Sequence, residues 1–86
     1  MVNKHLIAEF GLRIRGLREA KKISQEKLSF STGFHRTYIG MIERGERNIS
    51  LTNMAVFAKV FEINLSELFD FKSINSFNKY ETKTQK

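Results

Sequence analysis

The apolar residues of this 86-residue chain recur at helical spacing and divide it into five segments. Ile7, Phe10, Ile14 and Leu17 share one stripe and predict helix 1 from about Leu6 to Lys21, leaving residues 1–5 loose. Ile23 and Ser24 link to helix 2, about Gln25 to Ser31, with Leu28 facing inward. Ser24 can accept a hydrogen bond from a free N–H of the first turn, and Glu26 complements the positive end of the helix dipole. The chain breaks at Thr32-Gly33-Phe34, where Gly33 can take the left-handed conformation that ends a helix. Helix 3, about Arg36 to Arg44, turns Ile39 and Ile42 inward. A loop begun by Gly45 leads to Ser50, which caps helix 4, Leu51 to Phe61, with Met54, Phe57, Ala58 and Phe61 inward. Asn64 and Glu67 have capping-box spacing and open a short helix 5 containing Leu65, Leu68 and Phe69. From Lys72 the periodicity is lost, so 1–71 is expected to form the domain and 72–86 a partly ordered basic tail. No strand pattern or internal repeat stands out. The expected fold is all-α, a compact five-helix bundle.

Composition removes several classes of function. Hydrophobic residues make up 41% and charged residues 28%, as in a soluble globule of one small domain. With no cysteine there can be no disulfide, thiolate metal site or cysteine nucleophile. The start, MVNKHLIAEFGLRIR, becomes charged before a long apolar run develops, and no stretch approaches the roughly 20 apolar residues that span a bilayer. A cytoplasmic protein without membrane attachment is therefore expected. His5 and His35 have no second ligand at suitable spacing, so no metal is expected. Gly11 and Gly16 resemble the outer glycines of a phosphate loop, but no Lys-Ser/Thr follows and the segment is helical. No catalytic residue and no cofactor can be assigned, and the chain is not expected to be an enzyme.

Charge changes the picture only where it is placed. The net charge is +6, but residues 72–86 hold four lysines and one glutamate, which leaves eleven basic and eight acidic side chains before them. That is weak evidence for a polyanionic partner. Helix 3 is more informative. At 100° per residue Arg36, Thr37, Gly40, Met41 and Arg44 lie opposite Ile39 and Ile42, and this face suits a DNA major groove. Arg36 can donate two parallel bonds to guanine O6 and N7. Thr37 offers a hydroxyl, or a methyl against thymine, or is a plain surface threonine. Gly40 costs about 1 kcal/mol relative to alanine inside a helix; it either allows close approach to the groove or is simply tolerated. Arg18 lies in the apolar stripe of helix 1, above Ile14, and must reach water or find a carboxylate.

The stretch SQEKLSFSTGFHRTYIGMIERG, Ser24 to Gly45, is helix, tight turn, helix, and with its flanking helices resembles the phage-repressor helix-turn-helix family of the Cro/cI-like or XRE type. The resemblance covers about Phe10 to Phe69 and rests on Gln25, Leu28, Gly33, Ile39, Ile42-Glu43-Arg44-Gly45 and Ser50-Leu51. The run HRTYIGMIERGERNIS is similar to controller proteins of restriction–modification systems. This implies a sequence-specific regulator of transcription that binds a pseudo-palindromic double-stranded DNA operator as a homodimer. A phage or plasmid repressor, or an antitoxin-like interaction module on the same fold, is the alternative. The resemblance further implies base contacts from Arg36, Thr37 and Met41, and backbone contacts from Gln25, Tyr38, Arg44, Arg47 and Asn48. It implies an ion pair between Arg18 and Glu43, and a dimer interface near Leu65, Phe69 and Phe71. Three positions depart from the pattern: His35 stands where a better helix cap is usual, Glu62 where glycine is frequent, and Phe30 where a polar residue is usual.

Overall fold

The computed structural model describes residues 3–71, and they form five α-helices: α1 Lys4–Ala20, α2 Gln25–Thr32, α3 Arg36–Glu43, α4 Leu51–Phe61 and α5 Leu65–Leu68. The fold is all-α. The tail expected over 72–86 lies outside the described residues.

Local chemistry sets most of the boundaries. Ser24 accepts from the Lys27 N–H at 3.0 Å, and Ser50 from the Asn53 N–H at 3.1 Å. Asn64 and Glu67 complete a reciprocal capping box. Helix 1 begins earlier than its apolar stripe indicates. Asn3 accepts from the Leu6 N–H at 3.0 Å, so residues 4 and 5 are helical rather than loose. The helix 2 turn is locked twice. Gly33 has φ +83°, and the Thr32 hydroxyl donates to the Leu28 carbonyl at 2.9 Å while accepting from the Phe34 N–H at 3.1 Å. Glu62 fills the left-handed position after α4 at φ 60°, so that helix ends in a conformation glycine usually supplies, without glycine.

The core joins all five helices through Phe10, Ile14, Leu28, Ile39, Ile42, Phe57, Ala58, Phe61 and Leu68. Phe34, in the turn, plugs one side of it: its ring lies 5.2 Å from Tyr38 and 5.3 Å from Phe57 between centroids. Helix α1 crosses the end of α3 with backbone nearly against backbone. A β-carbon at Gly11 would collide with the Ile42 carbonyl oxygen and lie 2.9 Å from that of Glu43. Arg13 ties α1 to α5, donating from Nη2 to the Glu67 carbonyl at 2.7 Å and from Nε to the Leu68 carbonyl at 3.3 Å. Among the described residues no helix is long and apolar enough to cross a membrane.

Candidate nucleic-acid interface

The Arg18–Glu43 pair is formed and is the hinge pin of the helix-turn-helix. Arg18 Nε donates to Glu43 Oε2 at 2.7 Å and Nη2 to Oε1 at 3.0 Å, with side chains 11% and 2% exposed. Arg18 Nη1 also donates to the Ile23 carbonyl at 2.9 Å. The hydrogen bond to Glu43 raises Arg18's hold on its proton, against an opposing effect of burial. Gln25 Nε2 adds a third bond to the Glu43 carboxylate, at 3.0 Å. One buried carboxylate therefore sets α1 and the start of α2 against the end of α3, and no buried side-chain polar atom among the described residues lacks a partner. This use of Gln25 bears on its expected role. Its amide nitrogen is already engaged, and its side-chain oxygen lies beside Gly40 in the polar depression at the start of α3.

Helix α3 buries Ile39, Gly40, Ile42 and Glu43 and exposes Arg36 and Thr37, while Met41 is half-buried and Arg44, just past its end, is exposed. Its first turn is capped by an unusual group: His35 Nδ1 accepts from the Thr37 N–H at 3.1 Å. A ring nitrogen replaces the usual hydroxyl or carboxylate without loss of the bond. Among the described residues Arg36 has no ion-pair partner, so its guanidinium is available at an exposed helix start beside the Thr37 hydroxyl. With Gln25, Gly40 and Arg44 these two residues line a shallow polar depression.

Gly40 does not present bare backbone, as its place on the outer face suggested. The space a β-carbon would fill is taken by the Arg44 guanidinium, with Nη1 at 3.1 Å, and by Gln25 Oε1 at 3.6 Å. Arg44 is held there by Glu46 through Nε–Oε2 at 3.0 Å and Nη2–Oε1 at 3.2 Å. The pair raises Arg44's proton affinity and lowers the Glu46 carboxyl below its ordinary range, in both cases chiefly through the hydrogen bonds.

On the far flank Tyr38 is half-buried, and its hydroxyl accepts from Asn53 Nδ2 at 2.9 Å. Arg47 lies over its ring at 5.3 Å, with Nη1 3.9 Å from Met41 Sδ. Arg47 and Asn48 are exposed in the loop after α3, and the structure brings Tyr38, Met41 and Arg47 together at the end of the α3 face. The C-terminal candidates divide differently. Leu65 and Phe71 are half-buried against the core, whereas Phe69 is 40% exposed, 6.0 Å from Phe10 between ring centroids. Phe69 also borders an apolar recess lined by Leu6, Phe10, Ile49 and Met54. Phe30, on α2, is 75% exposed.

The helix-turn-helix family model (HTH_3) matches residues 14–68. The control protein C.BamHI of Bacillus amyloliquefaciens is 44% identical over 68 residues, 78% of this chain and 84% of that protein. C.SmaI of Serratia marcescens, also a control protein, is 38% identical over 65 residues, 76% of this chain and 74% of that protein. Among solved structures, the restriction–modification controller protein C.AhdI from Aeromonas hydrophila superimposes with a TM-score of 0.69 at 47% identity, covering 72% of this chain and 94% of its own. A nucleoprotein complex of C.Esp1396I gives 0.69 at 29% identity, covering 76% and 84%.

Proposed function

Since the chain belongs to the helix-turn-helix family, with restriction–modification control proteins among its relatives, we propose that it binds double-stranded DNA sequence-specifically and regulates transcription, most directly of restriction–modification genes. It acts by binding, without catalysis, cofactor or metal. The observation that carries this reading is the exposed start of α3. A firmly seated helix offers an unpaired Arg36 and a Thr37 hydroxyl on a face flanked by Gln25, Arg44 and Arg47. The relationship to C.Esp1396I, seen in a nucleoprotein complex, supports nucleic-acid binding. Arg36, Thr37 and Met41 are assigned to base edges; Gln25, Tyr38, Arg44, Arg47 and Asn48 are assigned to the sugar–phosphate backbone. Footprinting of the DNA upstream of the protein's own gene is expected to show a pseudo-palindromic protected site. A protein that retards that DNA and random duplexes equally would refute the proposal.

Arg36→Ala is expected to cost roughly 1–3 kcal/mol in operator binding and to relax preference at one base pair. Equal loss on operator and random duplex would instead make Arg36 a phosphate contact.

A single short recognition helix reads too few base pairs to select one site in a genome, which favours a two-fold dimer with half-sites about one helical turn apart. The exposed Phe69 and the apolar recess beside it, with Leu65 and Phe71 behind, suit an isologous patch. Phe69→Ser is the cleanest test, because Leu65 also serves the core. The variant is expected to keep its helical circular dichroism, sediment as a monomer at micromolar concentration, and lose most operator affinity. A parent protein that sediments as a monomer and binds one half-site tightly would exclude the dimer.

A further inference from the structure

We propose that Glu46 is a specificity-determining residue, which keeps Arg44 neutralised on the DNA-facing surface until a phosphate comes close enough to replace the carboxylate. The proposal rests on the DNA-binding reading above and assigns a role to an acidic residue set between two cations, Arg44 and Arg47.

The geometry is that of a charge held in reserve. Glu46 engages the Nε and Nη2 edge of the guanidinium with two bonds, at 3.0 and 3.2 Å. Nη1, which the carboxylate leaves unused, rests over Gly40, where only the absence of a side chain makes room. Arg44 is thereby folded across α3 into the depression shared with Gln25, Arg36 and Thr37. Both partners are more than half or about half exposed, at 57% and 50%, so the pair is weak and open to exchange.

Such a pair behaves differently at long and short range. At a distance Arg44 and Glu46 sum to no net charge and exert little pull on a polyanion. At contact, a phosphate offers the same fork of two oxygens as the carboxylate and can take its place. Loose, sequence-independent association depends on unpaired cations and gains little from Arg44 while Glu46 holds it. A closely seated operator recruits Arg44. Glu46 thus lowers the affinity for random DNA more than that for the operator.

The test compares the full-length parent, Glu46→Gln, Arg44→Ala and the double variant. Each is titrated with a duplex selected by the parent from a randomised pool and with a scrambled duplex, over a range of salt. Glu46→Gln should bind the scrambled duplex roughly two- to fivefold more tightly, the range an exposed pair allows. Its salt slope there should steepen by about 0.9, the equivalent of one further phosphate. The selected duplex should gain less, so discrimination falls. Both effects should vanish when Arg44 is already alanine. Unchanged or weakened binding by Glu46→Gln overturns the proposal. So does a gain that persists in the Arg44→Ala background, since Glu46 would then act only by repelling phosphates. A parent that selects no duplex from the pool fails earlier, and refutes the DNA-binding reading itself.

Discussion

Arg18→Met lowers the unfolding free energy by about 3–5 kcal/mol, the cost of removing one partner from a buried ion pair. The substitution keeps an unbranched stem but removes the two bonds from Arg18 to Glu43 and its bond to the Ile23 carbonyl. Glu43, 2% exposed, is left with the Gln25 amide alone. At this size each kcal/mol is worth roughly 4–8 °C in Tm, so the midpoint falls by at least about 12 °C. One further measurement identifies the cause. Adding Glu43→Leu to Arg18→Met restores much of the loss, since an apolar pair of similar volume does not need the missing bonds. Single variants that melt like the parent would show that the network contributes nothing.

Gly11→Ala is expected to destabilise by about 3 kcal/mol, the upper part of the range for overpacking, because the obstacle is backbone that cannot change rotamer. The new methyl would meet the Ile42 carbonyl oxygen, and α1 would have to lift from α3, drawing Arg18 away from Glu43. Gly16→Ala is the matched control. It lies in the same helix, nothing stands within 4 Å of its added β-carbon, and it should gain up to about 1 kcal/mol from helix propensity alone. Thermal melts of the two variants should therefore move in opposite directions. Similar shifts would remove the close α1–α3 approach as the reason for Gly11.

These two glycines show where the sequence is legible and where it is not. Helix boundaries depend on groups three or four residues apart, so Ser24, Gly33, Ser50 and the Asn64–Glu67 box could be read directly. The inward faces followed for the same reason. Arg18 announced a problem, a charge on an apolar stripe, but its solution lay 25 residues away on α3 and came from resemblance to a family. Gly11 and Gly16 look alike in sequence, and only the crossing of two helices separates them. Arg13 is equally silent, because its acceptors are backbone carbonyls more than fifty residues distant. Asn3 lies ahead of the apolar stripe, and a capping side chain needs no stripe, so the stripe alone starts α1 too late. On the candidate interface, the outward placing of Arg36, Thr37 and Arg44 follows from helical periodicity. The covering of Gly40 does not: it depends on a side chain turned back by Glu46 from beyond the helix end.

The tie from Arg13 to the carbonyls of Glu67 and Leu68 has a consequence for operator architecture. A helix of four residues cannot hold its own position; here it packs on α4 and is tied to α1 by Arg13. The same α1 is seated on α3 through Gly11 and pinned to it by Arg18. The segment bearing Phe69 and the helix bearing Arg36 are thus tied to the same helix. In the proposed dimer, the two reading heads keep a fixed phase around the DNA axis. One base pair added between half-sites turns one of them by roughly 35° relative to the other, and the ties between α1, α3 and α5 oppose any movement that would follow it. Spacing between half-sites is then read as strictly as the bases themselves.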